Sequence, residues 1–196
     1  MKLDLNCNAE YFDAFLTPSE SMELYKELLT YKELTAGFSL TLATGEQYRE
    51  NYGKMMFMDR NLYEAGKFPD SIWGHNQIWS EKMTAVKDRI ESCTGIQFET
   101  CVCIYYPDGN AGVDYHSDQA AFGDTTNIAS LSLGAERNFH FREKLTSKVD
   151  TILLKNGSLL LMGEGSEERY EHALPPDPTC TEPRINLTFR KYGFGN

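Results

Sequence analysis

The stretch Arg184-Ile185-Asn186-Leu187-Thr188-Phe189-Arg190 alternates without a break between polar and apolar side chains. A period of two is that of a half-buried β-strand, with Ile185, Leu187 and Phe189 on one face and the polar residues on the other. The polar face holds two arginines, an asparagine and a threonine, with no acid to neutralise them. On a solvated face this is unremarkable. If the face lines a cavity, the guanidiniums need an anion, because a buried unpaired charge is costly. A carboxylate that accepts two parallel hydrogen bonds is the natural partner.

Upstream of this strand, from Gln97 onward, short apolar runs are separated by turn residues: Pro107-Asp108-Gly109-Asn110, Phe122-Gly123-Asp124 and Lys155-Asn156-Gly157. Helical periodicity is confined to the first half. Thr17-Pro18-Ser19-Glu20 carries a capping residue, a proline at the first helical position and an acid at the third. Met22, Tyr25, Leu28 and Leu29 then recur on one face. A second helix is expected over about Gln77 to Cys93, with Trp79, Met83, Val86 and Ile90 on its buried stripe and Thr94-Gly95 as its stop. Phe38 to Pro69 is rich in aromatics and methionine but poorly periodic, which fits a hairpin or a lid. Helices followed by many short strands predict an α+β, mainly β chain: an antiparallel sandwich or jelly roll flanked by N-terminal helices.

Composition sets outer bounds. A chain of 196 residues, 41% hydrophobic and 24% charged, is enough for one buried domain. The most apolar run, Thr151 to Met162, is broken by Lys155-Asn156-Gly157, so it reads as strand, turn, strand and not as a membrane span. No signal-peptide core is evident at Met1 to Asn6, so a cytoplasmic location is the default expectation, with a nuclear one open to a eukaryotic protein. The five cysteines, an odd number without a C-x-x-C pair, fit reduced thiols, and Cys101 and Cys103 read as packing residues of a buried strand. The net charge of −10 runs against extensive contact with phosphates. Arg137, Arg142, Lys144, Lys148 and Lys155 could form a basic patch, but Glu136, Glu143 and Asp150 interleave with them, and a mixed solvated face fits as well.

His116 and Asp118 are two residues apart, so on an extended strand both point the same way. With His172, which follows 56 residues after His116 (172 − 116), they would supply the two imidazoles and one carboxylate that hold non-haem Fe(II) with coordination positions left open. On its own, His-x-Asp describes a surface hydrogen-bonding pair more often than a metal site. His75 reads as a turn or helix-start residue, and His140, alternating with Phe139 and Phe141, as the polar face of a strand.

Taken in order, His116-Ser117-Asp118, Ile128 to Ala135, Gly157 to Met162, His172-Ala173-Leu174-Pro175 and Pro183 to Arg190 give a chain that resembles the AlkB family of Fe(II)- and 2-oxoglutarate-dependent dioxygenases, above all its nucleic acid demethylases. The likeness covers roughly residues 96–192. It implies a double-stranded β-helix (jelly roll) there, with residues 1–95 supplying flanking helices and a substrate lid, the whole a single domain. It also implies Fe(II) held by His116, Asp118 and His172, and 2-oxoglutarate and O2 as cosubstrates. Arg184 would pair with the distal carboxylate of 2-oxoglutarate, assisted by Tyr106 and Asn186. Arg190 would lie near the chelating end and orient Asp118.

The resemblance further implies oxidative demethylation of N-alkylated bases in DNA or RNA, as in repair of alkylation damage, with release of formaldehyde, succinate and CO2. The partner would be a single-stranded or flipped base despite the acidic charge, and the chain a monomer without membrane contact. Two departures bear on this. Gln119, Ala120 and Ala121 stand where repair members often carry acids, and Ile104 stands where the family often has asparagine. The same chemistry on a protein side chain, a lipid or a small metabolite is the alternative; a non-catalytic binding module would require a broken triad or clamp. Among the aromatics that could stack on a base (Tyr48, Tyr52, Phe57, Tyr63 and Trp73), Tyr52 is the expected substrate contact, and the competing reading has these aromatics pack the N-terminal lobe against the roll.

Overall fold

The computed structural model describes residues 1–41, 44–118, 120 and 123–193. The first half runs β1 (Ala9–Phe12), α1 (Pro18–Leu28), α2 (Lys32–Thr35), β2 (Ser39–Thr41), β3 (Gln47–Arg49), β4 (Gly53–Met58), α3 (Arg60–Glu64), α4 (Asp70–Trp73), β5 (His75–Ile78) and α5 (Glu81–Thr94). The second continues β6 (Thr100–Tyr106), β7 (Val113–His116), β8 (Ile128–Gly134), β9 (Arg137–Glu143), β10 (Val149–Leu154), β11 (Leu159–Met162), α6 (Ser166–Arg169), β12 (Tyr170–Leu174) and β13 (Arg184–Arg190). Among the described residues, β13 is the middle strand of a seven-stranded sheet ordered β1-β11-β8-β13-β6-β4-β5, and a second sheet is ordered β10-β9-β12-β7. Every pairing in the two sheets is antiparallel except β4 with β5.

The large sheet separates two cores. On its outer face Ile185, Leu187 and Phe189 join Cys101, Cys103 and Phe57 against Leu24 and Leu28 of α1 and Met83, Val86 and Ile90 of α5. On its inner face Tyr106, Ile128 and Leu160 meet Phe139, Phe141, Tyr170 and Leu174 of the small sheet. This is the expected jelly roll with helices on one side. The free thiols of Cys101 and Cys103 are buried, as a packing role requires. No helix among the described residues is long and apolar enough to cross a membrane.

Both helix starts follow local chemistry. Thr17 and Glu20 form a reciprocal capping box, and α1 begins at Pro18. Its buried stripe, however, is Ser21, Leu24 and Leu28; Met22 is exposed, with Tyr25 and Leu29 at the margin. The later helix begins at Glu81, four residues after the expected Gln77 (81 − 77). The Ser80 hydroxyl accepts from the Met83 N–H at 3.2 Å and caps it, while His75–Ile78 pair as a strand with β4. His75 is thus a strand residue. Trp79 lies outside the helix, stacked between Phe57 and Phe189, with its Nε1–H donating to Asp59. Gly95, at φ +72°, closes the helix in the left-handed conformation that favours glycine.

The segment from Phe38 to Pro69 contains the expected hairpin, β2–β3, and also β4, a strand of the large sheet whose residues Met55 to Met58 are all buried. Next to them on β4, Lys54 stands opposite Ile104, which in turn opposes Asn186. Its ammonium is 4.9 Å from the Phe38 ring centroid and 5.0 Å from that of Trp73. Burial first, then the like charge of Arg190, push its pKa down to about 8 from 10.5. Below about pH 8 Lys54 is charged both folded and unfolded, so the cost of burying the ammonium is present in full. Between about 8 and 10.5 the folded chain binds fewer protons than the unfolded one, so this contribution to stability rises with pH. Lys54→Met is therefore expected to stabilise the protein at pH 7 by about 1–3 kcal/mol, part of the cost being offset by the two ring contacts. The gain should shrink by pH 10. Urea unfolding of both proteins at the two pH values checks this, and a gain independent of pH would show that Lys54 keeps its proton.

Candidate active site

His116 ends β7, and His172 lies directly opposite it on β12, so antiparallel pairing closes the 56-residue separation. Asp118 follows just beyond the end of β7. Its Oδ1 is 3.8 Å from His116 Nε2 and its Oδ2 is 3.9 Å from His172 Nε2. One ligand atom from each of the three residues lies within 4.8 Å of the others. His116 Nδ1 sits 2.7 Å from the Asp114 carbonyl, to which only its N–H can donate, so the contact assigns the metal-binding role to Nε2. His172 is buried and stacked on Phe139. Burial pushes its pKa down to about 4, so it is a neutral imidazole at physiological pH.

Burial alone would raise the Asp118 carboxyl, but Arg190, His172 and His116 outweigh it and hold it below its ordinary value. Arg190 Nη2 donates to Asp118 Oδ1 at 2.7 Å. Two imidazoles and one ionised carboxylate, converging from a strand pair and the loop beside it, suit a divalent first-row metal such as Fe(II).

The polar face of β13 lines the inner side of the roll. Arg184 is 2% exposed, and its Nη2 donates to Ser132 Oγ at 2.9 Å and to Asn186 Oδ1 at 3.1 Å. Asn186 accepts from Ser130 Oγ at 2.9 Å and donates to Thr188 Oγ1 at 2.8 Å. The Arg184 guanidinium lies 5.5 Å from the centroid of the buried Tyr106 ring. Burial pushes Arg184 down to about 10, so it remains a cation at neutral pH. Its Nε is buried without a hydrogen-bond partner, and among the described residues no acid forms an ion pair with it. A buried guanidinium with a donor to spare and only neutral partners fits the distal carboxylate of 2-oxoglutarate.

The remaining sequence expectations divide. Tyr52 packs beside Tyr106 at 6.2 Å and lines a cleft of about 400 Å³ with Tyr48, Glu50 and Asp114. Phe57 is wholly buried on the helix side, so it cannot meet a base. Tyr63 is exposed on α3, and Trp73 packs on Phe68 and Lys54. Arg137 is no surface cation: it is 1% exposed and donates to the carbonyls of Asp108, Ala111 and Pro175, pinning two loops to β9. The rest of that cluster is the mixed face, with Arg142 on Glu171, Lys148 on Asp150 and Lys155 on Asp13. His140 Nδ1 is 3.0 Å from the Tyr115 hydroxyl, on the polar face as expected. Gln119 and Ala121, two of the residues that replace acids, and Phe122 of the expected turn lie outside the described residues.

One site residue escapes a reading of the sequence. Glu167, on the short helix α6, accepts the Asp118 N–H on Oε2 at 2.5 Å and brings Oε1 to 3.7 Å from His172 Nδ1. Burial, then the Asp118 charge, push its carboxyl up to about 7.

Comparison with known proteins bears on the family and the fold. The human alpha-ketoglutarate-dependent dioxygenase alkB homolog 3 is 35% identical over 125 residues, which cover 59% of this chain and 44% of that protein. The bovine DNA oxidative demethylase ALKBH2 is 35% identical over 124 residues, covering 58% and 44%. The chain thus spans less than half the length of these curated relatives. The solved structure of OsALKBH1 superposes with a TM-score of 0.67 at 15% identity, covering 96% of this chain and all of that one, which establishes the fold. The AlkB resemblance and the jelly roll are both borne out. The family model for the 2OG-Fe(II) oxygenase superfamily, whose members use Fe(II), 2-oxoglutarate and O2, matches residues 8–190, and the chain belongs to that superfamily.

Proposed function

We propose that this chain is an Fe(II)- and 2-oxoglutarate-dependent dioxygenase that removes N-alkyl groups from nucleic acid bases, releasing formaldehyde, succinate and CO2. The observation that carries it is the link between the two halves of the site: Arg190 begins on the clamp strand and ends on the triad carboxylate at 2.7 Å. When bound, iron supplies the oxygen chemistry that couples decarboxylation of 2-oxoglutarate to oxidation of the substrate. The protein does the positioning. His116, Asp118 and His172 hold the metal, and Arg184, with Asn186 and Tyr106 beside it, takes the distal carboxylate. Arg190 fixes the rotamer and charge of Asp118. Tyr52 and the β2–β3 hairpin form the lid side of the cleft, with Tyr52 as the substrate contact.

The relatives named as a DNA oxidative demethylase and as alkB homologs support a nucleic acid substrate. The net charge of −10 favours a second reading, the same chemistry on a protein side chain, a lipid or a small metabolite. The two are separated by formaldehyde release from single-stranded oligonucleotides carrying N1-methyladenine or N3-methylcytosine, with Fe(II), 2-oxoglutarate and a chelator control. Chelator-sensitive release is expected, weakening as salt rises. Succinate formed without formaldehyde from either oligonucleotide would reject the base-demethylase reading in favour of the second.

A further inference from the structure

We propose that Glu167 is a positioning residue for the metal site, one carboxylate that orients both His172 and Asp118. The inference rests on the metal-centre reading above. Each metal-binding imidazole needs its second nitrogen held, because that contact fixes the tautomer and aims the lone pair. For His116 the Asp114 carbonyl does this at 2.7 Å. For His172 the facing oxygen is Glu167 Oε1, 3.7 Å from Nδ1, while Nε2 turns toward Asp118. That oxygen is buried and has no hydrogen-bond partner. The imidazole N–H is the donor that would satisfy it once the 3.7 Å gap closes by about half an ångström or more.

The second oxygen acts on the chain instead of a ring. Oε2 accepts the Asp118 N–H at 2.5 Å, which holds the backbone of a ligand that lies beyond the end of its strand. Arg190 holds the side chain of the same residue. Asp118 is thus gripped at both ends, and Glu167 is shared between two of the three ligands. Glu167 is itself fixed: Gly165 at φ +83° turns the chain out of β11 into α6, and the Glu167 carbonyl accepts from Lys144 Nζ at 2.6 Å. A carboxylate facing a metal-bound imidazole also strengthens that imidazole as a ligand.

The test is Co(II) binding to the full chain, followed by calorimetry and by the visible absorption of the bound ion, in wild type, Glu167→Ala and Glu167→Gln. The alanine variant is expected to bind Co(II) about 10- to 100-fold more weakly and to show an altered cobalt spectrum. The glutamine variant keeps a carbonyl for the Asp118 N–H without the charge, so its affinity should fall in between. It also serves as the readout if the alanine variant does not fold. Folded variants with wild-type cobalt affinity and spectrum, whatever their melting temperature, would overturn the role of Glu167. Wild-type protein that binds no Co(II) would instead overturn the metal-centre reading and this inference with it.

Discussion

His172→Ala protein is expected to form no succinate above the enzyme-free rate, at any concentration of Fe(II) that keeps it soluble. Of the three triad residues His172 is the most deeply buried, at 6% exposure, and its orientation is set from several sides. Phe139 stacks on one face, His116 lies edge-on at 4.4 Å, and Asp118 faces Nε2. Removing the imidazole leaves one nitrogen and one carboxylate, and Asp118 is already engaged by Arg190. Two ligands from one strand end cannot replace a three-point grip on one face of the metal. The cost to the fold should be ordinary for a core truncation, about 1–3 kcal/mol, so the protein should remain folded. A melting curve verifies the fold and a succinate assay reads the chemistry. A folded variant with turnover comparable to wild type would rule out His172 as a ligand.

Arg184→Ala acts on a different quantity. The variant should need roughly 30- to several-thousand-fold more 2-oxoglutarate for half-maximal turnover, as expected when truncating one side of a buried charged pair costs about 2–5 kcal/mol. Wild-type Arg184 has neutral partners only, Ser132 and Asn186 on Nη2 and the Tyr106 ring nearby, together with an unused Nε donor. Without cosubstrate, then, the protein carries a buried cation with no countercharge. Removing it should leave stability unchanged or slightly improved, while cosubstrate affinity collapses. That opposition in sign separates a binding role from a structural one. Succinate kinetics over a range of 2-oxoglutarate, beside the melting temperature, would show it. An unchanged half-saturating concentration would sink the clamp assignment.

The parts of this molecule that could be read in the sequence are those whose signal is periodic and local. The alternation of β13 is one, because Ile185, Leu187 and Phe189 all reach the helix-side core while Arg184, Asn186, Thr188 and Arg190 turn inward. Trp79 fits the helical pattern because 79, 83, 86 and 90 keep the spacing of one face, but the Ser80 cap places it just before the helix. β4 showed no period because both of its faces are buried, one against the helices and one against Phe68 and Val102. Arg137 resembled its charged neighbours; only the return of two loops beneath β9 reveals three carbonyls for its guanidinium. Glu167 was hidden for a related reason. In Ser166-Glu167-Glu168-Arg169 it looks like one more solvated acid, and its partners at 118 and 172 come from another loop and another strand.

β13 also bears on how such a protein can diverge. One row of seven residues supplies a wall of the hydrophobic interior and, in the proposed function, the surface that takes the cosubstrate, so the two properties share one strand length. Changes of residue type at 184, 186, 188 or 190 can retune the reaction without disturbing the interior one position away. Changes in length cannot. Losing one residue within β13 would exchange the two faces, sending guanidiniums toward the helices and Ile185, Leu187 or Phe189 toward the cavity. The hairpin and the loops around the cleft carry no such constraint, because a change in their length leaves the two faces of β13 where they are.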